Sequence, residues 1–322
     1  MPKVGFVLAV LVSLITGMPD MGLSQAQPAP PPSWACDDLV SSDDPTYGII
    51  GEIFYGSTRR LQSDGLLPDG FAETTANAGF HVCNNRSYDT YVLYTNPPVV
   101  IYDLQMVGFM FAQARAMILG QYVSERVSDA GTFDLHEKLI HEFATQSDAL
   151  DSDILEIMTR EANRLGVADE FLADTLQDSE YRRREQITFL HAVNFLTLHE
   201  LCHVFLEHGT EEAARRWSQA LELDADKCAL DIINRDEARF MFAPASFFGA
   251  LMIISTQMVV NEVTGNAGEQ HHPSTRARLQ HAGNVVLDYL AASRSPDTDR
   301  YVSTIEGTLS YLGNLITRYL TR

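Results

Sequence analysis

The amino-acid sequence predicts an α+β fold that is predominantly helical, with a small N-terminal region of strands and loops. Residues 34–103 are rich in Gly, Pro, Asn and Ser and contain two short runs of β-branched and aromatic residues. From residue 104 onward, apolar residues recur at spacings of three and four almost throughout, which is the period of a helix that buries one face. The chain therefore combines a minor β part with a major helical part.

The N-terminus has the pattern of a secretory signal peptide that spans residues 1–26. Lys3 is followed by the apolar run VGFVLAVLVSLIT, and Ser24 and Ala26 are small residues at positions −3 and −1 of a cleavage site before Gln27. The apolar run is shorter than the roughly 20 residues that span a bilayer, so a retained membrane anchor is the less favoured alternative. We expect an exported protein, periplasmic or secreted, without a stable membrane span after cleavage.

Beyond this segment, the sequence predicts a Pro-rich leader at residues 27–35 and a single mainly helical domain at residues 36–322. The N-terminal β and loop part of that domain covers residues 36–103, and the helical part covers residues 104–322, with no internal repeat. The formal net charge of −20 disfavours nucleic acid and anionic membrane surfaces as partners. Composition leaves the oligomeric state open.

Two strands are predicted in the N-terminal part. They are TYVLYT at Thr90–Thr95 and PVVIYD at Pro98–Asp103, separated by Asn96 and Pro97. We expect a strand near Val99–Tyr102 to offer a sheet edge to an extended peptide. Four segments with helical periodicity follow: LQMVGFMFAQARAMILGQYV, FDLHEKLIHEFATQ, DSDILEIMTREANRLG and EFLADTLQ.

A long helix is predicted over Glu180–His208, with Gly209 as the residue that ends it. Thr210 then caps a helix that carries RRWSQALELDADKCALDII. The nearly apolar stretch Phe242–Val260 is interrupted by Ser, Thr and Gln, which favours a buried core helix over a membrane span. Pro273 suits the first turn of a last helix, STRARLQHAGNVVLDYL.

The motif HELCH at residues 199–203 carries the strongest chemical signal in the chain. Residues four apart on a helix lie about 40° from each other, one turn along the axis, so His199 and His203 can direct ring nitrogens at one cation. Glu200 borders the same site without having to ligate, which is the position of a general base for a zinc-bound water. Because isolated matches to so short a motif also arise by accident, a further ligand is needed.

The next helix is predicted to supply that ligand. Glu222 follows His203 by 19 residues, and an antiparallel return of the chain would bring the two side chains together. Asp226, one turn beyond Glu222, would then fall opposite His199 and accept the proton of its non-ligating ring nitrogen. Two histidines and one glutamate leave a fourth position for water at a single Zn²⁺ per chain. The alternative is that Glu222, Asp224 and Asp226 form a solvated acidic face.

HELCH followed by ELDAD resembles the gluzincin metallopeptidases, whose motifs are HExxH and ExxxD, and implies their zincin-like catalytic domain. The pattern is most similar to the branch of HtpX-like and CAAX-prenyl-protease-like enzymes, as a soluble exported relative. That branch also has a His-Pro segment with an arginine six residues past the histidine, and this chain has HHPSTRAR. The resemblance implies that His272 hydrogen-bonds the oxyanion of the tetrahedral intermediate. It also implies that Arg278 steadies the carboxylates or the substrate.

The resemblance implies a zinc-dependent endopeptidase that hydrolyses peptide bonds of exported or misfolded proteins. Catalysis would use a zinc-activated water with Glu200 as general base, and the partner would be a polypeptide substrate. Two alternatives remain open. One is a non-catalytic, zinc-stabilised binding or chaperone-like protein of the periplasm, and the other is a metalloenzyme that hydrolyses a different amide, such as a cell-wall peptide bond.

Export permits disulfides, and Cys36 and Cys83, both in the loop-rich N-terminal part, are the predicted pair. The antiparallel register described above separates Cys228 from the residue facing Cys202 by roughly 7 Å along the helix axis. Such an offset is awkward for a disulfide. We therefore expect Cys202 and Cys228 to be buried, unpaired thiols.

Two other pairs of histidines are not expected to share a metal. His136 and His141 are five residues apart, as are His203 and His208. Five residues correspond to about 140° around a helix, so the members of each pair should point apart.

Overall fold

The computed structural model describes residues 30–85, 89–126, 169–210, 218–240, 249–250, 253–254, 273 and 275–293, together with residues 302, 306, 307 and 310. In this part of the chain the protein is mostly helical with a small three-stranded sheet. The predicted fold class, α+β and predominantly helical, is therefore confirmed. The signal peptide, two of the predicted helices (FDLHEKLIHEFATQ and DSDILEIMTREANRLG) and most of the apolar stretch 242–260 lie outside the described residues.

The N-terminal part is more helical than its composition predicts. It contains α1 (Pro45–Gly51), a π-helical turn (Glu52–Ser57), α2 (Thr58–Ser63) and α3 (Phe71–Thr75). Asp44 caps α1 by accepting a hydrogen bond of 2.7 Å from the backbone N–H of Thr46. Ile50 and Phe54 are buried in the main core. Burial of these apolar side chains outweighs the local preference of Gly, Pro and Asn for loops.

The sheet consists of β1 (Gly79–Cys83), β2 (Thr90–Leu93) and β3 (Val99–Asp103). β2 and β3 occupy the two predicted positions, whereas β1 was not predicted, because GFHVC is buried along its whole length and does not alternate. The strand order is β1-β3-β2, with β3 parallel to β1 and antiparallel to β2. The expectation of an open edge near Val99–Tyr102 is wrong, because β3 is the central strand. β2 lies at an edge instead.

The helical part contains α4 (Leu104–Arg126), α5 (Asp169–Gln177), α6 (Ser179–Phe205), α7 (Ser218–Phe240) and α8 (Thr275–Ser293). These helices occupy predicted positions, and α6 is the central helix of the fold. It packs against α4, α5, α7, α3 and β2, while α8 packs against α7. Because neighbours surround it, α6 is buried on several faces instead of along one stripe.

A buried hydrogen bond connects the sheet to α6. The hydroxyl of Tyr102 on β3 lies 2.8 Å from Oγ1 of Thr197, and both residues are fully buried. Oγ1 of Thr197 also donates to the backbone carbonyl of Val193 at 2.8 Å, so the Tyr102 hydroxyl is the donor to Thr197. This bond holds the central strand against α6 about half a turn before HELCH.

Two disulfides are present in the described part of the chain. The structure pairs Cys36 with Cys83 at a Cα–Cα distance of 5.5 Å. It also pairs Cys202 with Cys228 at 6.0 Å, so the expectation of two unpaired thiols is wrong. That expectation placed the two helices antiparallel in a fixed register, whereas Cys202 on α6 and Cys228 on α7 lie close enough for a bond.

None of the helices among the described residues has both the length and the hydrophobicity needed to cross a membrane.

Candidate metal centre

Helix α6 ends at Phe205, three residues earlier than predicted. The N–H of Leu206 still donates to the carbonyl of Cys202 at 2.8 Å, but Glu207 has a φ of 55°, in the left-handed region. A residue in this conformation ends a helix, and the backbone N–H groups around it donate hydrogen bonds to the last carbonyls of the helix. The HELCH motif therefore occupies the last full turns of the helix, where His199, Glu200 and His203 are all buried.

Three side chains from α6 and α7 converge on one point. Nε2 of His199 and Nε2 of His203 are 3.1 Å apart. The two carboxylate oxygens of Glu222 complete the group: Oε2 lies 3.4 Å from Nε2 of His199, and Oε1 lies 3.4 Å from Nε2 of His203. Together they form a largely buried His-His-Glu cluster that can hold a metal ion.

The dimensions of this cluster suit a small tetrahedral cation. Zinc binds imidazole nitrogen and carboxylate oxygen at about 2.0–2.2 Å, so neighbouring ligand atoms in a tetrahedron lie about 3.3 Å apart. The observed separations of 3.1, 3.4 and 3.4 Å agree with that value. Two neutral imidazoles and one carboxylate are also a donor set found in catalytic zinc sites. The residues present therefore fit a zinc ion.

Asp226 and Arg278 contact the ligand residues His199 and Glu222. Oδ1 of Asp226 lies 2.9 Å from Nδ1 of His199. Arg278 on α8 donates from Nε to Oδ2 of Asp226 at 2.8 Å and from Nη2 to Oδ1 at 2.6 Å. Its Nη1 lies 3.9 Å from Oε2 of Glu222. Arg278 thus contacts the carboxylates of both Asp226 and Glu222.

The buried charges shift one another's protonation. Burial alone would lower the pKa of His199, but the carboxylates of Asp226 and Glu222 raise it to about 10. Burial lowers the pKa of His203 to about 3, and the nearby His199 adds to the effect. Burial alone would raise the pKa of Asp226, but Arg278 and His199 bring it to about 2. Without a metal, these shifts favour a neutral His203 and a protonated His199, and His199 would have to release its proton before a metal could bind to it.

Glu200 is buried beside the cluster, and its carboxylate is not one of the three convergent ligands. Burial raises the pKa of Glu200 well above its usual value, an effect that His199 opposes and the charges of Glu222 and Asp89 reinforce. A carboxylate with a raised pKa binds protons more readily, as proton transfer near neutral pH requires.

His208 contacts His203, contrary to the expectation that the two rings point apart. Nδ1 of His208 lies 2.8 Å from Nδ1 of His203, and the ring centroids are 4.8 Å apart. The expectation assumed one continuous helix, whereas the chain reverses at Glu207 and brings the next residue back. Helical spacing cannot predict such a contact, because it depends on where the helix ends.

Tyr94 is a further residue near the site that sequence reasoning missed. A Cβ added to Gly209 would lie 2.2 Å from Cγ and Cδ1 of the Tyr94 ring, so the ring lies directly on this glycine. Burial raises the pKa of the Tyr94 hydroxyl, and the charges of Glu200 and Glu222 raise it further. Gly209 was expected to end the helix, but the left-handed residue at the helix end is Glu207. Gly209 instead leaves room for the ring.

His272 lies outside the described residues. Its neighbour Pro273 is buried and was predicted in the first turn of the last helix, but it lies before α8, which begins at Thr275. Arg278 is in the first turn of that helix.

Residues 153–288 match the family model described as Peptidase U49. The match covers less than half of the chain, and it includes HELCH, Glu222, Asp226, the His-Pro segment and Arg278. No curated protein and no solved structure shows a significant match to the chain. The segment that carries the candidate metal centre is thus similar to a peptidase family, which supports a hydrolase acting on polypeptides.

Proposed function

We propose that the protein is a zinc-dependent endopeptidase of the gluzincin type, with one zinc ion per chain. The observation that carries the proposal is the convergence of His199, His203 and Glu222 at separations of 3.1 to 3.4 Å. This convergence falls inside the segment that is similar to a peptidase family. When bound, zinc would supply a Lewis acid that polarises a carbonyl and lowers the pKa of water.

Glu200 is the proposed general base. It follows the ligand His199 on α6, it is only 4% exposed, and burial raises the pKa of its carboxyl group. Such a group can take a proton from the attacking water and later pass it to the leaving amine, because a carboxylate with a raised pKa binds a proton more readily. A site with a purely structural metal has no use for a buried carboxylate of this kind.

Asp226 and Arg278 are proposed to hold the ligands in place. The Asp226 carboxylate faces Nδ1 of His199, which leaves Nε2 directed at the metal position. The guanidinium of Arg278 compensates the charge of that carboxylate through two hydrogen bonds, because an unpaired buried carboxylate would be costly. His272, by the resemblance to HtpX-like enzymes, would donate a hydrogen bond to the developing oxyanion.

The sheet offers a binding surface for an extended substrate. β2 is an edge strand, and it contacts α6, the helix that carries HELCH. An extended polypeptide can add to such an edge through main-chain hydrogen bonds. The pattern of the signal peptide makes exported or misfolded proteins of the periplasm or the extracellular space the proposed substrates.

Replacing Glu200 by glutamine tests the proposal. The Glu200→Gln variant should bind zinc like the wild type but lose cleavage of an unfolded polypeptide such as casein, since the amide cannot accept the proton of water. The matched control is Glu73→Gln on α3, an exposed glutamate, which should leave cleavage unchanged. Near-normal cleavage by Glu200→Gln would contradict the proposal. Zinc binding by the wild type without any cleavage would favour the non-catalytic, zinc-stabilised alternative.

A further inference from the structure

The chain reversal after α6 brings His208 back to the motif that it follows. Glu207 has a φ of 55°, and the N–H of His208 donates to the carbonyl of His203 at 3.0 Å. This backbone hydrogen bond holds the Cα of His208 close to the last turn of α6. The position is therefore set by the fold and does not depend on the free rotation of a surface side chain.

The two imidazole rings meet through one specific pair of atoms. Nδ1 of His208 lies 2.8 Å from Nδ1 of His203, which is a hydrogen-bond distance. His208 is 7% exposed and His203 is 9% exposed, so little water competes for this bond. The opposite nitrogen of the same ring, Nε2 of His203, faces Nε2 of His199 and the Glu222 carboxylate. The two nitrogens of His203 thus have separate partners.

Binding of a cation at Nε2 determines the direction of the bond between the rings. A neutral imidazole has one proton, and a metal on Nε2 leaves that proton on Nδ1. Nδ1 of His203 must then donate to His208, whose own Nδ1 must accept. The arrangement parallels that of His199, whose Nδ1 faces the carboxylate of Asp226. Nδ1 of each of the two histidines therefore faces a buried partner of its own.

We propose that His208 is a positioning residue that orients His203 for metal binding by accepting a hydrogen bond from its Nδ1. The inference rests on the proposed metal centre and adds a residue outside the HExxH and ExxxD motifs. Partners of this kind fix the tautomer and the ring orientation of a ligand histidine, and their removal typically weakens metal affinity about 10- to 100-fold.

Two variants of similar shape separate hydrogen bonding from packing. His208→Asn retains a polar atom near the position of Nδ1, whereas His208→Leu has almost the same shape as asparagine without an acceptor. Zinc affinity is measured by competition with a chromophoric chelator, and urea unfolding checks that each variant is folded. We expect His208→Leu to bind zinc about 10- to 100-fold more weakly than the wild type, and His208→Asn to recover much of that loss.

A spectroscopic measurement on the zinc-loaded wild type tests the same bond independently of any variant. Long-range ¹H–¹⁵N correlation spectra of the histidine rings report which nitrogen carries the proton. We expect His203 to be protonated on Nδ1, with a proton that exchanges slowly with water, and His208 to be protonated on Nε2. A proton on Nδ1 of His208 would overturn the inference, even if His208→Leu failed to fold.

A Glu222→Ala variant distinguishes failure of this inference from failure of the proposed function. If neither the wild type nor Glu222→Ala binds zinc, the metal centre itself is wrong, and the role of His208 falls with it. If Glu222→Ala loses zinc while His208→Leu binds it as tightly as the wild type does, only the inference about His208 is overturned. Equal weakening in the folded Asn and Leu variants would also overturn it, because the acceptor would then make no difference.

Discussion

Cys202 and Cys228 form a disulfide that joins the two helices carrying the candidate metal ligands. Cys202 lies inside HELCH, directly before His203, and Cys228 lies two residues after Asp226. The covalent link thus restrains α6 and α7 at the level where their side chains must converge. Separation of the helices by a fraction of a bond length would already alter the ligand distances.

Replacing both of these cysteines by alanine is expected to destabilise the protein and to weaken zinc binding. The bond closes a loop with a sequence separation of 26 residues, so its loss should lower the free energy of unfolding by about 3 kcal/mol through the greater freedom of the unfolded chain. Zinc affinity should fall because the ligands are no longer held together before the metal arrives. Urea unfolding under metal-free conditions and a zinc titration measure the two effects.

The disulfide between Cys36 and Cys83 provides the matched control. It closes a loop of comparable size, with a sequence separation of 47, but it joins the N-terminal segment to β1. The double alanine variant at these positions should lose similar stability and keep its zinc affinity. Equal loss of zinc affinity in both double variants would show that general stability, and not the link between α6 and α7, governs binding.

Arg278→Leu is expected to be strongly destabilising. The guanidinium makes two hydrogen bonds to Asp226, which is fully buried. Its removal breaks a buried ion pair and leaves His199 as the remaining partner of the Asp226 carboxylate. Breaking a buried pair in this way typically costs about 3–5 kcal/mol. Arg276→Leu, an exposed position on the same helix, serves as the control and should change the free energy of unfolding little. A cost of Arg278→Leu no larger than that of the control would contradict the importance of the ion pair.

Gly209→Ala is expected to displace the ring of Tyr94. The new methyl group would lie 2.2 Å from two atoms of the ring, Cγ and Cδ1, so the ring has to shift. Overpacking of this kind costs about 1–3 kcal/mol. Thermal or urea unfolding measures the loss, and adding Tyr94→Ala should make the Gly209→Ala change much less costly. Gly48→Ala on α1, where a Cβ meets no atom within 4 Å, should be neutral or slightly stabilising.

Zinc is expected to raise the thermal unfolding temperature, and removal by a chelator to lower it. A ligand that binds only the folded state stabilises it by about 4 kcal/mol at a concentration a thousand times its dissociation constant. Differential scanning fluorimetry over a series of zinc concentrations measures this shift. The His203→Ala variant lacks one of the three ligands and should show a much smaller shift. The same shift in wild type and variant would place zinc elsewhere on the chain.

Local spacing was sufficient to predict the groups that belong on one face of a helix. His199 and His203 are one turn apart, as are Glu222 and Asp226, and a short antiparallel connection is enough to bring the two pairs together. Helix positions after residue 103 followed from the same periodicity, and the two predicted strands followed from their β-branched residues. These properties depend on neighbours in the chain, so the sequence by itself determined them.

Only the tertiary structure decided the contacts that depend on where elements end and how they pack. Long-range packing buries GFHVC as strand β1. It also makes β3 the central strand of the sheet, where an edge strand had been expected. The reversal at Glu207 turns His208 back toward His203, and the approach of α6 to α7 allows the disulfide of Cys202. Periodicity gives the direction in which a side chain points around the axis of its own helix. The distance to a partner on another element is set by the packing of the whole core.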